Sequence, residues 1–391
     1  MRGSIRQKTK DTWQIQIYTG VGPDGKRQRH FETIKGRKGD AQKRLTELLS
    51  SLDKGTYMKP SKTTFEDYLK IWLDEYARNS ISPRGFERYK GIIEKSVIPD
   101  MGKIILTQLK PEHIQRHYTA LQDKGLSPGT VKYHHAVIHK ALQTAVKRGL
   151  IIRNPADSVD VPRKGHNEMQ IWNEYEVNQF LEAAKNSQYY ALFYIALFTG
   201  MRRGELLGLR WSDIDFLFCQ LSVNRSLHQL KNGTYIYTQP KSAKSKRTIA
   251  LSPSAMVTLN NHKDKQEAIY KALGKPLTEN ELVFCTAEGK PFRPNTITRA
   301  WSELAKKAGV TVIRLHDARH THASLMLKQG IHPKIVQERL GHSTIAMTLD
   351  IYSHVTPGLQ QAAAQAFDNL VIQENNAKLT PFSENKSSYN P

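Results

Sequence analysis

Five polar residues in the second half of the chain stand in contexts that invite chemistry. Arg202 lies in Thr199-Gly200-Met201-Arg202-Arg203-Gly204-Glu205-Leu206, and His316 and Arg319 lie in Leu315-His316-Asp317-Ala318-Arg319-His320-Thr321. His342 lies in Leu340-Gly341-His342-Ser343, and Tyr352 in Leu349-Asp350-Ile351-Tyr352-Ser353-His354. Two arginines, two histidines and a tyrosine can break a phosphodiester without a metal, by attack of a phenol. Arginine forks hold phosphate oxygens in pairs. Histidine carries protons near neutral pH, and tyrosine can become a covalent phosphoryl carrier.

Taken singly, each residue has a plainer reading. Arg202 follows an apolar helix, Tyr190 to Phe198, and a break at Thr199-Gly200. It opens a short helix over about 203 to 209, where backbone N–H groups favour a phosphate; otherwise it is a surface arginine at a helix cap. His316 and Arg319 share a helix face at their spacing of three. His320 and the carboxylate of Asp317 lie beside them, so a zinc site is the rival reading. No His-Glu-x-x-His pattern supports it. His342 follows a glycine that ends a helix, Pro333 to Leu340, and Tyr352 is one of 16 tyrosines. A basic turn, Pro240-Lys241-Ser242-Ala243-Lys244-Ser245-Lys246-Arg247, separates two strand-like runs. A lysine at its tip can protonate a departing alkoxide, or it is simply solvated.

Three segments must position these groups. Residues 1 to about 58 read as a small β-rich module closed by a helix. Thr12 to Tyr18 alternates apolar and polar side chains, Gly22-Pro23-Asp24-Gly25 turns, and Lys26 to Phe31 follows as a basic strand carrying Lys26, Arg27 and Arg29. Ala41, Leu45, Leu48, Leu49 and Leu52 then recur at helical spacing. From about 62 to 163 the pattern is helical, with starts at Thr64, Ser82-Pro83, Lys110-Pro111 and Ser127-Pro128 that predict four helices. A Pro- and charge-rich linker, 154–165, leads to the largest segment, 167 to about 372. That segment is mainly helical, with strand-like runs near 219–227, 234–239 and 247–251. Beyond Ile372 the chain is polar and reads as a disordered tail, 373–391.

The totals agree with a nucleic-acid partner. The chain has 391 residues and a net charge of +22. The first 60 residues alone hold 14 Lys+Arg against 6 Asp+Glu, a field that favours a polyanion. No stretch approaches the roughly 18 to 20 apolar residues of a membrane span, and the N-terminus lacks the apolar core of a secretory signal. Two cysteines, Cys219 and Cys285, suit reduced thiols in a cytoplasm.

Taken together and in this order, the Thr-Gly-Met-Arg-Arg-Gly-Glu-Leu, Pro-Lys-Ser, Leu-His-Asp-Ala-Arg-His-Thr, Leu-Gly-His-Ser and Thr-Leu-Asp-Ile-Tyr blocks resemble the tyrosine recombinase (phage integrase) family. The N-terminal module is similar to the arm-binding domain of integrases from phages and conjugative elements. The resemblance implies a multidomain α+β protein. Residues 1–58 would be an arm-type DNA-binding domain of three strands and a helix. A four-helix core-site-binding domain would span 62–163, and a mainly α catalytic domain with a small antiparallel sheet 167–372. It implies Tyr352 as the nucleophile forming a 3′-phosphotyrosyl bond, and Arg202 and Arg319 as stabilisers of the transition state. His316 would assist proton transfer, His342 would donate to the phosphate, and Glu205 would orient Arg202. The general acid would be Lys241, with Lys244 and Lys246 leaving that choice open; these last two, with Lys26, Arg27 and Arg29, are candidate DNA contacts. No metal, cofactor or ATP is implied. The implied partners are double-stranded DNA with core-type and arm-type sites, three further copies in a homotetramer, an excision factor and a host DNA-bending protein. Rival functions are a chromosome-dimer recombinase, a type IB topoisomerase and a DNA-binding regulator that does not cleave.

Overall fold

The computed structural model describes residues 3–21, 25–54, 57, 61–163, 165, 169–239, 246–349, 364–365 and 367–369. The chain divides into two compact units, residues 1–166 and 167–391.

The first unit begins with an antiparallel meander of β1 (Gly3–Thr9), β2 (Thr12–Val21) and β3 (Arg27–Lys35), followed by helix α1 (Lys38–Asp53). Alternation along β2 turns Ile15 and Ile17 onto Ala41, Leu45 and Leu48 of α1, a small dry core. The other face carries Gln14, Gln16 and Tyr18, with Phe31 opposite Gln16 and Arg29 opposite Tyr18. The guanidiniums of Arg27 and Arg29 lie 5.4 and 5.8 Å from the Tyr18 ring centre, and both side chains are exposed, as is Lys26. Strand β1 could not be located from alternation, because Ile5 is its one apolar residue.

The helical part of this unit has the four expected helices, two of them interrupted. Helix α2 (Phe65–Trp72) passes through a π-helical turn, Leu73–Ala77, into α3 (Arg78–Ser80). Helix α4 (Pro83–Ile92) passes through another, Ile93–Val97, into α5 (Ile98–Met101). Helices α6 (Pro111–Asp123) and α7 (Pro128–Lys147) follow. Thr64, Ser82 and Ser127 cap their helices by accepting N–H bonds from Asp67, Gly85 and Thr130, as Ser and Thr do at such positions. Phe65, Tyr68, Trp72, Ile93, Tyr118 and Ile138 are among the side chains that fill the shared core.

The second unit packs around α9 (Tyr190–Thr199), a helix apolar on all sides and therefore buried on all sides. Before it comes α8 (Glu174–Ala184), and after it the short α10 (Arg203–Leu207). Five strands follow, β4 (Ile214–Asp215), β5 (Gln220–Val223), β6 (Ser226–Gln229), β7 (Tyr235–Thr238) and β8 (Arg247–Ala250). Among the described residues, α11 (Pro253–Ala272), α12 (Pro294–Lys307), α13 (Asp317–Lys328) and α14 (Pro333–Leu340) follow, and residues 364–365 and 367–369 are helical. Trp172, Phe180, Phe193 and Trp301 form an aromatic cluster with ring centres 4.3 to 5.8 Å apart.

The strands form two assemblies, where one small sheet was expected: β4-β5-β8 and a separate β6-β7 hairpin. The break falls at Asn224-Arg225. There Asn224 donates to the buried Asp213 carboxylate at 2.9 Å and Arg225 forms an ion pair with it. Strand β5 already pairs with β4 on one edge and β8 on the other, so β6 pairs with β7 instead. Among the described residues no helix is long and apolar enough to cross a membrane.

Candidate active site

Two glycine corners prepare the site. Helix α9 ends at Gly200 and α14 at Gly341, both in the left-handed conformation, with φ of 63° and 66°, where a side chain is strained. A Cβ on Gly200 would also stand 2.5 Å from Leu340, and one on Gly341 3.0 Å from the Arg247 side chain. Glycine at both places lets the two helix ends approach.

Arg319 bridges those ends. It lies in the first turn of α13, behind its N-cap His316. Its Nη1 donates to Gly200 O at 2.9 Å and its Nη2 to Leu340 O at 2.6 Å. The residue is 3% exposed and its bonds go to carbonyls rather than to a carboxylate. Burial, followed by repulsion from Arg202 and Arg247, pulls its pKa down to about 9, against the opposing pull of Glu205. Arg319 therefore remains a cation at neutral pH, with its charge unneutralised by direct contact.

Arg202 is the N-cap of α10. The Arg202 N–H donates to Glu205 Oε2 at 2.9 Å. Its Nη1 donates to Glu205 Oε1 at 2.8 Å, and its Nη2 reaches Gly341 O at 3.4 Å. Glu205 is buried. Burial alone would raise its pKa, but the hydrogen bond and charge of Arg247, then those of Arg202, hold it below the ordinary carboxylate value.

His342 follows the Gly341 corner and is 5% exposed, with Nδ1 2.9 Å from Thr348 Oγ1. Burial, then repulsion from Arg319, Arg202, His320 and Arg247, pushes its pKa down to about 3. In the tautomer whose Nδ1 accepts from that hydroxyl, Nε2 carries the proton and can donate to an anion. His316 is also held below its usual pKa, by burial first and then by Arg319 and Arg202. Its ring meets that of His320 edge-on, 5.4 Å between centres. The rival zinc set is not assembled. Both oxygens of Asp317 are bonded to the Arg314 guanidinium, at 2.8 and 2.9 Å, and no group of three metal-holding side chains exists among the described residues.

The structure thus gathers Arg202, Glu205, His316, Arg319 and His342 into one cluster of the second unit. Lys246 is exposed beside it in sequence, at the foot of β8. Tyr352, Lys241 and Lys244 lie outside the described residues.

Several contributors escaped the sequence reading. Arg247 spans both Glu205 oxygens and also donates from Nε to Arg339 O at 2.7 Å. Arg339 donates to Phe198 O, Ala250 O and His322 Nε2, tying α9, β8 and α14 together. Thr348 supports His342. Arg247 did carry a signal: it alternates in phase with the inward-facing Ile249 of β8, an odd place for an exposed charge.

Neutral, buried histidines make an acid-labile fold. His322 and His342 have folded pKa values of about 3, well below the unfolded imidazole value of 6.5. The unfolded chain therefore binds more protons below pH 6.5, and stability present above that pH is lost as it falls toward 3. Thermal midpoints of the full chain should hold between pH 8 and 7 and drop steadily from 6.5 to 5. A midpoint flat down to pH 5 would contradict the neutral buried state.

The chain is similar to known proteins in sequence and in fold. Residues 171–358 match the phage integrase family, and residues 64–122 match the phage integrase N-terminal SAM-like domain. The tyrosine recombinase XerC-like protein of Caldanaerobacter subterraneus subsp. tengcongensis is 30% identical over 384 residues, covering 93% of this chain and 97% of that one. The fold is similar to that of the Tn1549 transposon integrase in complex with a circular intermediate DNA, with a TM-score of 0.66, 23% identity and coverage of 78% and 100%. It is also similar to a lambda integrase tetramer bound to a Holliday junction, with a TM-score of 0.57, 20% identity and coverage of 90% and 94%.

Proposed function

Because the chain belongs to the phage integrase family of tyrosine recombinases, we propose that it integrates and excises a mobile element by cutting and rejoining DNA through a 3′-phosphotyrosyl intermediate. The observation that carries this reading is the buried, uncompensated Arg319, with Arg202, His316 and His342 gathered around it. Such a cluster of cations and donors attracts an anion and stabilises the further charge that develops as a phosphodiester becomes five-coordinate.

In the proposed step the Tyr352 oxygen attacks phosphorus, a P–O bond to tyrosine forms, and the P–O bond to the 5′ carbon's oxygen breaks. The phenolic proton leaves by way of His316, neutral and therefore able to accept it. The departing 5′ oxygen takes a proton from a lysine of the 240–246 turn, Lys241, Lys244 or Lys246. His342 Nε2 donates to a non-bridging oxygen. The phosphotyrosyl ester keeps the energy of the bond it replaced, so rejoining needs neither ATP nor metal.

Residues 62–163 would grip the core-type site, residues 167–372 would cleave it, and residues 1–58 would read arm-type sites. The arm role is supported by a sheet face that sets Arg27 and Arg29 beside Gln14, Gln16 and the exposed Phe31, a mixture suited to groove edges and phosphates. Assembly as a homotetramer on DNA is supported by the tetrameric lambda integrase whose fold this chain shares. The reaction belongs in the cytoplasm beside the chromosome. Control of its direction falls to an excision factor and a host DNA-bending protein.

A nicked duplex carrying the attachment site tests the proposal, because cleavage next to a nick releases a short strand and traps the covalent complex. Incubated in EDTA, the wild-type protein should run on a denaturing gel as a DNA-linked band. No band on a genuine site would turn the reading toward a binder that does not cleave. A band formed only when divalent metal is supplied would remove the metal-free mechanism.

A further inference from the structure

We propose that Arg247 is a positioning residue for strand cleavage: by satisfying both oxygens of Glu205, it keeps that carboxylate from drawing in Arg202, whose guanidinium then stays turned toward the phosphate. The inference rests on the cleavage function and on Arg202 as a phosphate ligand.

The geometry carries it. Glu205 is buried and takes four hydrogen bonds, all from two arginines. From Arg202 come the backbone N–H, at 2.9 Å, and Nη1, at 2.8 Å. From Arg247 come Nη2 to Oε2 at 2.8 Å and Nη1 to Oε1 at 3.3 Å. Arg247 thus makes the two-pronged contact, and Arg202 spends a single side-chain nitrogen on the carboxylate. A buried carboxylate left with one partner is costly and relaxes toward whatever cation can reach it. Without Arg247 that cation is Arg202, three residues away on the same short helix. Its full fork would fold onto Glu205 and withdraw from the site.

The placement of Arg247 adds to this. Its side chain is 5% exposed, packed under the left-handed Gly341 corner, where a Cβ would collide with it. Its Nε is fixed on Arg339 O. It also opens β8. One side chain therefore braces the carboxylate that partners the first arginine and abuts the corner that precedes His342.

Single-turnover adduct formation on the nicked duplex, with DNA affinity measured alongside, tests the proposal. Arg247→Ala should slow adduct formation on the order of 10²-fold, the usual consequence of misplacing a catalytic contact by about an ångström, with affinity for DNA unchanged within about threefold. Adding Glu205→Gln to Arg247→Ala removes the charge that captures Arg202 and should recover about tenfold of the loss. In an Arg202→Ala background, Arg247→Ala should cost less than about threefold. Arg247→Lys, which keeps a cation against Glu205, should stay within about tenfold of wild type.

A purely structural role predicts the opposite: Glu205→Gln deepens the defect, and the losses with Arg202→Ala multiply. Either result, or wild-type rates in Arg247→Ala, overturns the proposal. Should Arg247→Ala fail to fold, Arg247→Met keeps the buried stem and takes its place in every comparison. Absence of adduct in the wild type would instead overturn the cleavage function itself, and the two failures are told apart in the same gel.

Discussion

Tyr352→Phe should bind the attachment site as wild type does, within about threefold, and form no covalent adduct, a loss on the order of 10⁴-fold or more. The change deletes one oxygen and leaves ring size and apolar character in place. Charge is untouched, so the electrostatic part of DNA binding, which depends on lysine and arginine, is retained. The chain holds 16 tyrosines, and this experiment separates one of them from fifteen. An adduct that persists in Tyr352→Phe would mean another residue attacks. Loss of adduct together with loss of DNA binding would mean Tyr352 is needed for the fold. Electrophoretic mobility shift and the denaturing gel, run on the same samples, read the two quantities.

Arg319→Ala is the second large effect. Removing one preorganised donor from a charge-stabilising site commonly costs about 10² to 10³ in rate, and Arg319 is a buried cation rather than a neutral donor. We expect a loss of at least about 10³-fold in single-turnover cleavage. Its stability effect has opposing parts. The variant leaves Gly200 O and Leu340 O without their donor, yet it also removes a buried charge that no carboxylate neutralises. The melting temperature should therefore move far less than the rate does. Arg319→Lys keeps the charge but cannot reach both carbonyls from one planar fork, so it should fall between. Cleavage by Arg319→Ala within tenfold of wild type would remove Arg319 from the mechanism.

Legibility in the sequence followed how local each determinant was. Arg202, His316, Arg319 and His342 each had a plainer reading alone, and became candidates only through the order of the blocks that hold them. The helices over 65–163 were visible because Ser-Pro and Lys-Pro starts and apolar spacing are local signals as well. Their π-helical turns at 73–77 and 93–97 were not, since no residue type marks the place where a helix takes in one extra residue. Arg247 was hidden for the opposite reason: it closes a run of lysines that reads as solvated, and its partner lies 42 residues earlier in the chain. The split of the strands into two sheets was hidden too, because it depends on Asp213 drawing Asn224 and Arg225 across a distance that periodicity does not report. Thr348 looked like any helical threonine until His342 was found against it.

Peptide carbonyls, not a carboxylate, hold Arg319 in place, so its position is fixed by the backbone of two helix ends before any DNA arrives. A guanidinium placed in this way spends none of its binding energy on being ordered by the phosphate it meets. The phosphate it grips should in turn stabilise the second unit, because a ligand that binds only the folded chain raises its melting temperature.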